Sequence, residues 1–195
     1  MSQDLANATL DLGDLILRPW RDTDAEALCS ACQDPEIARW VSIPQPFCMA
    51  DARAMIDDSR SLWQEGSAAF AIVDAASDEL RGAITRIGPE GHGATLGCWV
   101  VRSARGQGIG TRALRAVAEW TLATTEVVRV EVFFMVGNEA SERMVMRAGV
   151  QREGVLRSWE LLRGVPVDCV AYSRLRGDEP GYPQVGRRVV SHQTG

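Results

Sequence analysis

Three alternate glycines, Gly106, Gly108 and Gly110, stand between an apolar strand-like run (94–101) and a helix-like run (108–123). Glycines at such a junction let the backbone turn sharply and bring several N–H groups to one point. The helix start adds its own unsatisfied donors and the positive end of its dipole. That combination suits a pyrophosphate, and Arg105 and Arg112 add charge nearby. The chain has no lysine, and all 21 of its basic residues are arginine. A Walker-type phosphate loop and Schiff-base chemistry both require lysine, so both are excluded.

Two other readings of this junction stay open at this point. A dinucleotide fold asks for G-x-G-x-x-G, and Thr111 stands where its third glycine belongs. Glu131 lies about where that fold places a ribose-binding acid. Against it, three strand-like segments precede the loop, whereas that unit opens a parallel sheet. The plainer alternative is a loop rich in glycine for close packing alone.

The rest of the chain reads as one domain. Its 195 residues are 46% hydrophobic and 24% charged, enough for one good core. Residues 15–20 read as a strand stopped by Pro19, and Asp22–Asp24 as the cap of a helix running to Gln33, where Asp34-Pro35 breaks it. A second helix fits 49–64. Strands follow at 68–73, 80–87 and 94–101, an antiparallel meander whose third member reads as buried on both faces. After the glycine helix come a strand at 127–136, a helix at 139–148 ended by Gly149, and strands at 150–161 and 165–175. The order predicts an α+β layout around one mixed sheet. The first 11 residues read as flexible, and from Gly177 onward the chain reads as disordered or as an arm on a partner subunit.

Charge and composition narrow the partners. The formal charge is −5, which repels nucleic-acid phosphates and anionic lipid. No apolar run is long enough to span a membrane, and the N-terminus has no signal-peptide pattern. Five scattered cysteines read as free thiols in a reducing, cytoplasmic setting. Cys29 and Cys32 form C-x-x-C without a second pair, so no metal site is expected. His92 reads as an exposed turn residue, and Trp40, Trp63 and Trp159 as core residues or the lining of an acceptor pocket.

Arg105-Gly106-Gln107-Gly108-Ile109-Gly110 resembles the R/Q-x-x-G-x-G/A motif of the GNAT superfamily of N-acetyltransferases. Three further blocks resemble its ribosomal-protein N-acetyltransferase branch. They are 15–24 (LILRPWRDTD), Gly97-Cys98-Trp99-Val100-Val101, and Asn138-Glu139-Ala140-Ser141 followed by Arg147-Ala148-Gly149-Val150 and Glu153-Gly154. Together they cover about residues 12 to 176.

The resemblance implies a mostly antiparallel sheet, splayed at an acyl-CoA site, with helices on both faces. It implies acetyl-CoA or another acyl-CoA as co-substrate, no metal, and attack by a primary amine of a protein N-terminus or a small basic molecule. It leaves a homodimer open. Cys98, Trp99 and Val100 would take the pantetheine arm, with an N–H near Trp99 or Val100 polarising the thioester carbonyl. The amides of Gly106 to Thr111, with Arg105, Gln107 and Ile109, would take the diphosphate. Asn138 would contact the pantetheine side, and Ser141 would protonate the departing thiolate.

The chain also departs from the family pattern. Val145 stands where many relatives carry a tyrosine acid, and Thr95 where many carry a glutamate. Glu160 is left as the candidate base, alongside a water chain. Asp168 matches a recurrent family aspartate and reads as structural. A catalytically silent acyl-CoA-binding module, a nucleotide-binding oxidoreductase and a self-associating scaffold are the other classes carried forward.

Overall fold

The computed structural model describes residues 8–178. One sheet organises them, in the order β1-β2-β3-β4-β5-β6-β8-β7. Its strands are β1 (Leu10–Asp11), β2 (Leu15–Pro19), β3 (Ala68–Asp74), β4 (Leu80–Glu90), β5 (Gly93–Val100), β6 (Arg129–Met135), β7 (Gln151–Leu162) and β8 (Val165–Leu175). Every neighbouring pair is antiparallel except β5 with β6. The helices are α1 (Ala25–Ala31), α2 (Pro35–Trp40), α3 (Met49–Gln64), α4 (Ile109–Thr124) and α5 (Glu139–Ala148).

Alternation along β3 explains why helices cover both faces. Phe70 and Ile72 point into a core shared with Trp63 of α3, with Ala113, Leu114 and Val117 of α4, and with Val145 and Ala148 of α5. Ala71 and Val73 face the other way, towards Trp20 and Ala31. The apolar stripes of α1, α2 and α3 meet in a second core around Leu28, Ile37 and Ile56. On the first face Trp63, Phe70 and Trp120 pack edge to face with centroids 5.0 to 6.5 Å apart.

The α+β class and the α3 boundaries match the sequence expectation, and three readings are corrected. Asp34-Pro35 does end the first helical stretch, but it also begins α2: Asp34 Oδ1 accepts from the Glu36 N–H at 3.0 Å and Pro35 occupies the first turn. Leu10–Asp11, placed within a flexible start, pairs with Ile16 and Leu17 of β2. Strand β5 is not buried on both faces, since Gly97 is exposed and Cys98 to Val100 are half-buried. The reading of the segment beyond Asp178 lies outside the described residues.

The N-terminal corner is tied by charge. Arg18, buried, gives both terminal nitrogens to Asp24 at 2.8 and 2.9 Å and its Nε to Asp78 at 3.0 Å. Arg112 does not face the glycine loop. It pairs with Asp14 and donates to the Leu12 carbonyl, pinning the β1–β2 connection onto α4.

Candidate active site

The parallel pairing of β5 with β6 lasts four residue pairs, from Gly93↔Arg129 to Leu96↔Val132, and then stops. Beyond it β5 stays on β4, through Gly97↔Thr85 to Val100↔Gly82, while β6 stays on β8. The two halves of the sheet therefore part at Gly97 and Phe133. A cleft of about 700 Å³ occupies the gap.

Strand alternation decides which backbone groups face that gap. The Val101 N–H donates to the Arg81 carbonyl, and the Trp99 carbonyl points at Gly82, so Val101 and Trp99 spend their main-chain groups on the β4 side. Cys98 and Val100 therefore turn theirs to the open side, where β5 has no strand partner. Of the two N–H donors expected at the thioester, the fold leaves Val100 and directs Trp99 elsewhere. The Val100 carbonyl is taken by Arg105 Nε at 3.1 Å.

The glycine loop closes one end of the cleft. Gly106 and Gly108 hold φ of +77° and +76°, a region that favours glycine. Gly108 caps α4 without a side-chain acceptor, so the first N–H groups of the helix have no protein side chain on them. Gly110 serves packing instead, because a Cβ there would lie 2.6 Å from Met144 Sδ of α5. The Thr111 hydroxyl donates to the Met144 carbonyl at 3.3 Å, a second tie between α4 and α5.

Every expected coenzyme-binding residue lines the cleft except Gln107, whose amide donates to the Ser103 carbonyl at 3.1 Å. Asn138 caps α5: its Oδ1 accepts from the Ser141 N–H at 3.1 Å, which leaves its Nδ2 for the cleft. Ser141 is half-buried on the same wall, and its hydroxyl makes no hydrogen bond among the described residues. Burial of its sulfur pushes the Cys98 thiol up to about 12, which favours the protonated form at neutral pH.

A second wall of the cleft has a different lining. Helix α2 and the turn after it supply Glu36, Ile37, Trp40, Val41 and Ser42, while β6 to β8 supply Phe133, Glu160, Leu162 and Cys169. Glu36 is held by the Trp40 indole N–H at 3.3 Å and lies 3.8 Å from Arg39. Glu160 is exposed and has no ion pair or hydrogen bond among the described residues. Among the described residues the carboxylates lining the cleft are Glu36 of α2 and Glu160 of β7, and its arginines are Arg105 of the glycine loop and Arg143 and Arg147 of α5. Of the three candidate tryptophans, Trp40 lines the cleft, Trp63 is core, and Trp159 leans on Phe133 with centroids 5.2 Å apart.

Val145, at the position of the family's tyrosine acid, is fully buried. Tyr172 does not replace it. Its hydroxyl donates to Glu142 at 3.1 Å, burial and that carboxylate hold its pKa above the usual phenol value, and it is not among the cleft-lining residues. Among the described residues no three histidine, cysteine or acidic side chains are grouped to hold a metal. The residues that sequence reasoning missed are Glu36 and Phe133, and Asp34 behind them. The first two carry no motif, and Asp34 was read as a helix breaker.

Comparison with known proteins agrees with this geometry. Residues 14–151 match the family model described as "Acetyltransferase (GNAT) domain". An uncharacterized N-acetyltransferase, p20, of Bacillus licheniformis is 28% identical over 86% of this chain and 96% of its own length. The ribosomal-protein-serine acetyltransferase of Escherichia coli is 32% identical over 64% of this chain and 70% of its own. Among solved structures, RimL, a ribosomal alpha-N-protein acetyltransferase in complex with coenzyme A, superposes with a TM-score of 0.78. It is 22% identical, with 88% of this chain and 100% of that one covered. A strand that leaves its parallel neighbour after four pairs, an uncapped helix start beyond it, and a family match across 14–151 all describe one kind of protein: this chain is a member of the GNAT acetyltransferase family.

Proposed function

We propose that the protein transfers the acetyl group of acetyl-CoA to a primary amine, on a protein N-terminus or a small basic molecule, by direct attack in a ternary complex. The observation that carries this reading is the unpaired edge of β5 running into the side-chain-free start of α4. An extended pantetheine amide matches the first, and a diphosphate matches the second. Other acyl-CoA thioesters share both features.

The residues divide the work as follows. Cys98 and Val100 pair with the pantetheine arm through their main chain. The amides following Gly108 hold the diphosphate, and Arg105 adds charge. The Val100 N–H faces the thioester carbonyl and stabilises the oxyanion, a donor class worth about 3 kcal/mol at such a position. As the amine nitrogen bonds to the acetyl carbon and the C–S bond breaks, Ser141 donates its hydroxyl proton to the sulfur. The wall made by α2 and by Phe133 and Glu160 is the one we assign to the acceptor; there Glu160, an unpaired carboxylate, takes the proton lost by the amine through water, and Ser141 is reprotonated from solvent. Glu36 and Glu160 on that wall favour a basic acceptor.

Burial of Val145 at the acid position favours a second reading, a module that binds acyl-CoA and does no chemistry. One experiment separates the two. Purified protein is titrated calorimetrically with CoA and then assayed for thiol release from acetyl-CoA with a panel of amines, products being identified by mass spectrometry. Uptake with an acetylated amine supports the enzyme. Uptake without product across the panel supports the silent module, and no uptake overturns both.

A further inference from the structure

The glycine loop and the acceptor wall are joined by one buried carboxylate. The Asp34 side chain is 9% exposed. Its Oδ1 caps α2 through the Glu36 N–H, and its Oδ2 lies 2.7 Å from Arg105 Nη2. No hydrogen bond satisfies Oδ2, so the charge of Arg105 is what compensates it there. Arg105 in turn donates Nε to the carbonyl of Val100, the last residue of the opened strand. Its Nη1 donates to nothing among the described residues.

From this we infer that Asp34 is a positioning residue that makes the acceptor wall depend on the occupancy of the coenzyme loop. The inference rests on the CoA-binding reading above. Helix α2 has six residues, too few to hold itself, and its start relies on the Asp34 cap. Before a ligand arrives, Arg105 is fixed at two of its three nitrogens and is about one-third exposed. A diphosphate on the loop takes the remaining Nη1 and leaves the Asp34 ion pair and the Nε hydrogen bond in place. The guanidinium is then pinned at three points, its partner Asp34 loses its freedom, and the first turn of α2 loses it too. Glu36, Ile37 and Trp40 are thereby set for the amine after the coenzyme has bound. By reciprocity, an acceptor that orders α2 tightens coenzyme binding by the same factor.

Hydrogen–deuterium exchange over 35–42 tests this with CoA alone, calorimetry on the same samples reporting uptake. In the wild-type protein, saturating CoA slows exchange in this segment by about fivefold, the lower end of ordinary coupling. Asp34→Asn keeps an oxygen for the cap and removes the charge. It is expected to bind CoA within about fivefold of wild type, because linkage limits the affinity lost to the factor by which CoA orders α2, while α2 no longer responds. Should Asp34→Asn not fold, Arg105→Gln removes the same pair from the other side and is expected to abolish the same response. Uptake with unchanged α2 exchange in the wild type overturns the inference, and so does equal slowing in a charge-removed variant. Absence of any uptake overturns the parent reading and the inference with it, and calorimetry identifies that case.

Discussion

Asp168 Oδ1 accepts a hydrogen bond from the Ser158 N–H at 2.8 Å, at the place where β7 carries three residues opposite one residue of β8. The ladder steps from Leu156↔Cys169 to Glu160↔Val167, and Ser158 within the step has φ of +51°. This bulge lays Trp159 on Phe133 and brings Glu160 onto the cleft wall. The Asp168 carbonyl meanwhile receives the Val136 N–H at 3.0 Å, close to the start of α5. Asp168→Ala is expected to cost about 1 kcal/mol in urea unfolding, the worth of one such bond. It should also raise the KM for the amine while the Kd for CoA stays put. Asp168→Asn keeps an acceptor oxygen and should restore most of both. Equal KM values for wild type and Asp168→Ala would remove the bulge from acceptor binding.

Ser141 and Asn138 share one cap and separate under mutation. Ser141→Ala leaves the cap intact, because its backbone N–H is the donor. Turnover should fall about 100-fold, the lower range for a proton donor, with an unchanged melting temperature and CoA affinity. Asn138→Ala removes the cap and should lower stability by about 1 kcal/mol. Steady-state kinetics beside thermal melts read both, and full turnover in Ser141→Ala would release it from the mechanism.

Gly82 sets how closely β4 approaches the opened stretch of β5. A Cβ there would stand 2.4 Å from the Trp99 carbonyl oxygen and 3.1 Å from the Val100 Cα, both backbone. Gly82→Ala must push Trp99 and Val100 towards the cleft, at about 1–3 kcal/mol of overpacking. CoA affinity should fall with stability. Gly154→Ala, on β7 with open space around its Cβ and outside the cleft lining, is the control. Calorimetry on the two variants checks the contrast.

Acid should loosen the N-terminal corner. The hydrogen bond from Arg18 holds Asp78 below the usual carboxylate value, against a smaller opposing effect of desolvation. A carboxylate depressed on folding contributes stability above its unfolded value, and that contribution is lost as pH falls through the folded one. The urea midpoint should therefore decline below about pH 4, where carboxylates of unfolded chains protonate. Asp78→Asn should flatten that decline. Asp78 is half exposed, so the change in slope is small, whereas Arg18→Gln, which strands the buried Asp24, should cost about 3 kcal/mol at neutral pH.

Much of this fold was legible because local signals and tertiary packing agree. Ala52, Met55, Ile56 and Leu62 carry the helical period by which α3 is legible; Ala52 and Ile56 are buried, Leu62 is half-buried and Met55 is exposed. The glycine motif marked the strand-to-helix junction because backbone conformation is written in residue type, and Gly106 and Gly108 there hold positive φ. The misreadings share a cause. Strand β5 is apolar because it lines a cleft, and hydrophobic pattern alone does not separate a ligand's surroundings from a core. Pro35 ends one helix and starts the next, and the two readings use the same dipeptide. Arg112 looks like part of the phosphate loop until Asp14, 98 residues away, claims it. The pairs Asp34–Arg105 and Ser158–Asp168 are equally silent in one dimension.

The short seam between β5 and β6 has a mechanical meaning. Four rungs join a five-stranded blade to a three-stranded one, so twisting between them concentrates at that stitch. A molecule spanning the gap would act as a brace as much as a passenger, and part of its binding energy would be spent stiffening the scaffold that holds it.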